Sequence, residues 1–283
     1  MEILTVFFFL LGLSVGSFLN VLTLRYGTES SVGGRSRCRS CGTTLRWFEL
    51  VPLVSFLALR GRCRSCGTRL SLQYPIVELG TALLFVLVLR TVAGAPLLLD
   101  AGSLLELALY LSVVSVLVAI TVYDYHHKII PDPFVYTLAL LSVLKLFVAF
   151  SPLSFVLPPM LELLAGPILF VPFSLLWFIS RGAWIGFGDA KLALAIGWLL
   201  GLRAGTSAII FAFWIGALYF LLVLAAQNLL RRSTRLSERF ALGGRPYTMK
   251  SEVPFGPFLV LGTLLVLLTG ADVLSFVTFL LEL

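Results

Sequence analysis

The sequence predicts an all-α polytopic membrane protein with about eight transmembrane helices and a small cytoplasmic four-cysteine zinc-knuckle loop module. Three observations carry that reading. Hydrophobic residues make up 59% of the 283 positions and charged residues only 12%, with a mean hydropathy of +1.03, whereas a soluble domain is about 25% charged. Long apolar runs recur along the chain between charged or Gly/Pro-rich breaks. Four cysteines fall in two copies of one short repeat.

A membrane span needs roughly 20 apolar residues, and runs of that kind lie near 3–24, 75–93, 103–122, 133–150, 159–179, 190–202, 205–229 and 254–281. The sixth is the shortest; merging it with its neighbour changes the parity. The first run follows Glu2 and has no Ala-x-Ala-like exit, so it is expected to be a permanent span and not a cleaved signal peptide. The expected organisation is a first transmembrane helix at 1–24, a four-cysteine zinc-binding loop at 25–74 and a membrane core at 75–283.

The net charge of +7 raises the question of a nucleic-acid partner, and its placement answers it. Short cytoplasmic loops collect Lys and Arg. Eighteen of the 21 basic residues fall in 25–74, 123–132, 180–191 and 230–253, leaving only Arg90, Lys145 and Arg203 elsewhere. The charge marks one membrane face as cytoplasmic, with both termini outside, and no nucleic-acid partner is expected.

Cys38-x-x-Cys41 and Cys63-x-x-Cys66 each sit inside the heptapeptide Arg-Cys-Arg-Ser-Cys-Gly-Thr. Two residues between thiolates let one tight turn aim both sulfurs at a single ion, and two such turns supply a closed tetrahedral shell, the mark of structural zinc. Gly42 and Gly67 suit the positive φ of those turns. The rival reading is redox dithiols or disulfides, which a cytoplasmic location disfavours. Arg37, Arg39, Arg62 and Arg64 are read first as topology determinants, with attraction of anionic lipid or of an acidic ligand as the alternative.

Carboxylates in or beside spans are costly and informative. Glu2, Asp100, Glu106, Glu162, Asp272 and Glu282 lie at outer span ends and receive no function. On the cytoplasmic side, Asp124 ends the third span and Asp189 opens the sixth, 65 residues later, and the topology sets both at one depth. Two carboxyls sharing a proton can hydrolyse a peptide bond without a covalent intermediate. Gly186 and Gly188 leave room for an extended substrate backbone. Read singly, Asp124 is a salt-bridge partner of Lys128 and Asp189 a helix cap; read together with the glycines, they form an active-site pair. Asp132, between Pro131 and Pro133, is expected to be a turn or cap residue, and His126 and His127 solvated loop residues.

At these residues the chain resembles the type IV prepilin peptidases, intramembrane aspartic proteases of the Gly-x-Gly-Asp class. The likeness runs through Gly-Ser-Phe-Leu-Asn-Val at 16–21, the cysteine turns, Trp-Phe-Glu-Leu-Val-Pro at 47–52 and Tyr-Pro-Ile-Val-Glu at 74–78. It continues through 124–132, Gly-Phe-Gly-Asp-Ala-Lys at 186–191 and Val-Pro-Phe-Gly-Pro-Phe at 253–258. Arg25-Tyr26-Gly27 departs from the family's usual Arg-Leu-Pro. The resemblance implies Asp124 and Asp189 as the catalytic pair, with Gly186, Gly188 and Lys191 in the active-site loop. It implies cleavage of the basic leader of type IV prepilins or type II secretion pseudopilins at the cytoplasmic face of the bacterial inner membrane. It further implies N-methylation with S-adenosylmethionine in the cysteine-bearing half, where Glu78, Gly16 and Asn20 are assigned to the cofactor. The competing expectations are a presenilin-like or signal-peptide-peptidase-like protease, whose Pro-Ala-Leu element is replaced here by Pro254-Phe255-Gly256-Pro257, and a proton-coupled transporter using the paired aspartates. The resemblance leaves the oligomeric state open.

Overall fold

A computed structural model describes residues 2–27, 33–92, 101–150, 157–230 and 254–273. They form eight α-helices: α1 (Glu2–Arg25), α2 (Val54–Ala58), α3 (Gln73–Val92), α4 (Ala101–His127), α5 (Asp132–Phe150), α6 (Met160–Ser180), α7 (Phe187–Leu230) and α8 (Gly256–Thr269). A single 3₁₀ turn covers Trp47–Leu50, and no strand occurs among the described residues.

Five of these helices, α1, α3, α4, α6 and α7, are long and apolar enough to cross a membrane. The count of eight spans is therefore not established by the described helices. The expected spans at 190–202 and 205–229 are both parts of α7, which breaks at Gly201, where φ is 79° and ψ 177°. A Cβ on Gly205 would lie 3.6 Å from the Cα of Gly197, although eight residues of straight helix rise about 12 Å. The chain therefore folds back at Gly201, and α7 is two arms in contact. The expected 254–281 span is described as far as residue 273, with α8 closed by Gly270 in the left-handed region (φ 67°), its N–H donating to the Val266 carbonyl.

Two compact units emerge. The first comprises Met1–His126 and Pro131–Pro159, the second His127–Ile130 and Met160–Leu283. In the first, α1 packs against α3 through two glycines one turn apart. A Cβ on Gly12 would lie 2.5 Å from the Ala82 Cα, and one on Gly16 2.8 Å from the Glu78 Cα. In lipid, where burying apolar surface gains little, such small-residue contacts are what bring helices together. Phe85, Val88 and Leu89 of α3, Val113, Val114, Leu117 and Ile120 of α4, and Val135 and Leu138 of α5 are buried in this unit.

In the second unit α6 packs on α7, and α7 on α8. Gly197 meets the Ala165 carbonyl so closely that a Cβ would stand 2.5 Å from its oxygen. Pro167 within α6 cannot donate to the carbonyl four residues earlier, and that carbonyl, of Leu163, instead accepts a hydrogen bond from Trp198 Nε1 at 2.9 Å. A freed polar group in lipid is thus satisfied by the neighbouring helix. Arg203 and Asp272 form an ion pair at 2.5 Å, and Ser207 Oγ donates to the same carboxylate at 3.0 Å. Asp272 thus ties α7 to the end of α8.

Candidate active site and metal centre

The cysteine module repeats in structure as it does in sequence. Cys38 N–H donates to Thr43 O at 2.9 Å and Gly42 N–H to Cys38 O at 2.9 Å; the second turn repeats this with Cys63 to Thr68 at 2.8 Å and Gly67 to Cys63 at 2.9 Å. Each turn is closed by one antiparallel bridge, Arg37 with Thr44 and Arg62 with Arg69. Gly42 and Gly67 have φ of 71° and 70°, the conformation their place after the second cysteine predicts.

The four sulfurs lie within 4.8 Å of one another. Cys38 Sγ and Cys66 Sγ are 3.9 Å apart, close to the roughly 3.8 Å edge of a tetrahedron with metal–sulfur bonds of about 2.3 Å. Cys38 and Cys63 are buried and Cys41 and Cys66 exposed. Hydrogen bonds from the Thr68 side chain and backbone bring the Cys66 thiol down to about 6, and Thr43 lowers Cys41 in the same way. Thiolate is the ligating form, so the donor set suits a metal ion.

Asp124 lies in the last turn of α4 and is 4% exposed. In that first unit Tyr123, Tyr26 and Phe134 form an aromatic cluster, with Tyr26 5.6 Å from Tyr123 and 5.0 Å from Phe134. Gly27, at φ 74°, sits against the Tyr123 hydroxyl; this is the stretch where the loop departs from Arg-Leu-Pro. His126 is exposed, as expected of a solvated residue, but it also hydrogen-bonds Gln73 Oε1 at 2.6 Å, a contact no local pattern announces. Asp132 begins α5.

Asp189 stands in the first turn of α7 and is 8% exposed. Its N–H donates to Gly186 O at 3.2 Å, and a Cβ on Gly186 would come 3.4 Å from Asp189 Oδ2. Gly188 lies under Ile130, whose Cβ would be 3.0 Å from an added Cβ. Lys191 Nζ sits 5.0 Å from the Phe187 ring centre, and Phe187 packs on Trp177 at 4.8 Å, so a cation and two aromatic rings brace the loop.

Asn20 and Glu78 are buried in the first unit. Asn20 Nδ2 donates to Gly16 O and Tyr74 O, both at 3.3 Å, and Gln73 Nε2 donates to Asn20 Oδ1 at 3.4 Å. Glu78 Oε2 accepts from Leu53 N–H at 2.9 Å. Gly16 fills no cavity; it lies in the α1–α3 contact.

Residues 10–92 match the bacterial peptidase A24 N-terminal domain and residues 111–221 the type IV leader peptidase family. A prepilin leader peptidase/N-methyltransferase of Bacillus subtilis (strain 168) is 32% identical over 270 residues, which is 95% of each chain. The chain belongs to the type IV leader peptidase family. Within this family, the Myxococcus xanthus (strain DK1622) prepilin leader peptidase/N-methyltransferase is 37% identical over 79% of this chain and 64% of its own length. The namesake from Pseudomonas aeruginosa PAO1 is 29% identical over 93% of this chain and 90% of its own. No solved structure matches this family member significantly. The leader peptidase match spans both Asp124 and Asp189, and the N-terminal match spans all four cysteines, Gly16, Asn20 and Glu78.

Proposed function

We propose that this protein is an aspartic endopeptidase that removes the basic leader of type IV prepilins or type II secretion pseudopilins, with Asp124 and Asp189 as its catalytic pair. The observation that carries the reading is the presence of two buried aspartates at helix ends within the stretch matching the type IV leader peptidase family. One carboxylate, ionised, takes a proton from the attacking water. The other, neutral, donates a hydrogen bond to the scissile carbonyl, and the first carboxyl then passes the proton it took from water to the departing amine. Repulsion between two like charges keeps one proton on the pair. Gly186 and Gly188 admit the substrate backbone, and Lys191 steadies the loop through Phe187. The active site faces the cytoplasm of a bacterial inner membrane, the face to which the arginine-rich loops assign it.

The same chain also methylates the new N-terminus, as the names of its relatives support. S-adenosylmethionine supplies an electrophilic methyl group on a sulfonium. The fit in the first unit is one of charge: Glu78 offers a buried carboxylate to a cationic donor, Asn20 is buried in the same unit with its amide on the Gly16 and Tyr74 carbonyls, and Gly16 allows the close crossing of α1 on α3. The four cysteines hold zinc as a structural ion, with no open position for chemistry.

Asp124→Asn and Asp189→Asn each lower prepilin cleavage by about 100-fold or more, the scale of losing a general acid or base, while the chain still inserts in the membrane. Wild-type rates in either variant would remove the mechanism. Incubation of the purified protein with prepilin and methyl-labelled S-adenosylmethionine places label on the mature N-terminus; cleavage without label would make it a peptidase alone.

A further inference from the structure

The segment between the two cysteine turns carries an apolar face that no described residue covers. Trp47 and Leu50 of the 3₁₀ turn, Val51 after it, and Val54 and Leu57 of α2 are 79%, 43%, 37%, 61% and 73% exposed. Two other rings of the segment are held within the module. Phe48 lies under the Arg64 guanidinium, 5.2 Å from its ring centre, and the Phe56 ring packs over Gly61. These contacts rule out reading the exposed face as a core turned the wrong way.

Two observations say what covers it. Leu53 N–H is tied to Glu78 at 2.9 Å, and Glu78 lies five residues into α3, one of the helices able to span a membrane. Five residues of helix rise about 8 Å, which is the depth at which interfacial helices lie, roughly 5–10 Å into the boundary between headgroups and acyl chains. Leu72 and Ile76, at the start of α3, are exposed as well and extend the apolar surface towards the span. The second observation is charge. Residues 33–72 hold eight arginines and a single acid, Glu49, whose carboxylate is engaged by the Arg46 N–H at 2.7 Å.

We propose that Trp47–Leu57 lies in the membrane plane as an interfacial anchor, its apolar face in lipid and the surrounding arginines on anionic phospholipid headgroups. Trp47 takes the position at the headgroup boundary that tryptophan favours, and the arginine stems lie along the apolar surface with their charged ends among phosphates. The cysteine module is then seated on the bilayer surface by its own connecting segment.

The test uses the full-length protein in nanodiscs of mixed phosphatidylcholine and phosphatidylglycerol. Subtracting the fluorescence of Trp47→Phe from that of the unsubstituted protein isolates Trp47. Lipids brominated high on the acyl chain are expected to quench most of that difference signal, and aqueous acrylamide little of it. In phosphatidylcholine alone, bromolipid quenching of Trp47 falls; equal quenching there would overturn the role of the anionic headgroups. A Trp47 signal open to acrylamide and untouched by bromolipid would overturn the anchor. So would a signal shielded from both, because a second copy or another protein would then cover the face. Val54→Asp combined with Leu57→Asp shifts Trp47 to acrylamide exposure while the four-cysteine site keeps its bound metal.

Discussion

Cys38 and Cys66 bring two distant stretches of sequence to within 3.9 Å, and this contact is legible in the sequence because each half is a local, repeated turn. The same holds for Gly42 and Gly67, whose positive φ follows from their position. Side chains whose partners are remote are not legible in this way. Asp272 reads as an outer, hydrated acid, yet it is 17% exposed and paired with Arg203; Glu162 reads the same way and abuts Gly201. Nothing in the neighbouring sequence encodes those partners. Replacing Cys38 with Ser leaves three sulfurs and an open position. Bound metal, measured by elemental analysis of the purified protein, falls by at least about tenfold, since losing even an outer-shell partner of a metal ligand costs about 10–100-fold in affinity, and residues 33–72 become the preferred site of proteolysis.

Between elements, the helix boundaries follow hydropathy, while the pairing follows small residues that hydropathy ignores. Gly12 and Gly16 are spaced four apart in an apolar segment, a pattern that in lipid marks close helix association, and the structure gives them α3 as their neighbour. Gly197 does the same for α6 and α7. Gly197→Val forces a branched side chain into the Ala165 backbone and costs about 1–3 kcal/mol, the usual penalty of overpacking. Denaturation in detergent checks this, with Gly80→Ala, where an added Cβ meets nothing within 4 Å, expected near wild type. The short α2 and the preceding 3₁₀ turn escape a search for long runs because nine helical residues cannot span. Their signal is the spacing of Trp47, Leu50, Val54 and Leu57, visible only when the question is an amphipathic face and not a span.

For the molecule as a whole, the segregation of arginines makes a directional prediction. Protease added to inverted membrane vesicles cuts within 33–72, and protease added to right-side-out vesicles does not; the reverse result would invert the topology and move Asp124 and Asp189 to the outer face. The apolar runs at 190–202 and 205–229 correspond to the two arms into which the reversal at Gly201 divides α7, while the described helices long and apolar enough to cross number five and not eight. The Trp198 bond to Leu163 adds a restraint of a different kind. Sliding α6 past α7 by one residue would strand an indole N–H and a carbonyl together in hydrocarbon, so this bond acts as a latch with one closed setting. Asp189 lies nine residues from Trp198 along the same arm, about 14 Å of helix. The latch therefore works as a register pin, fixing where along α6 the arm that begins with Asp189 is held.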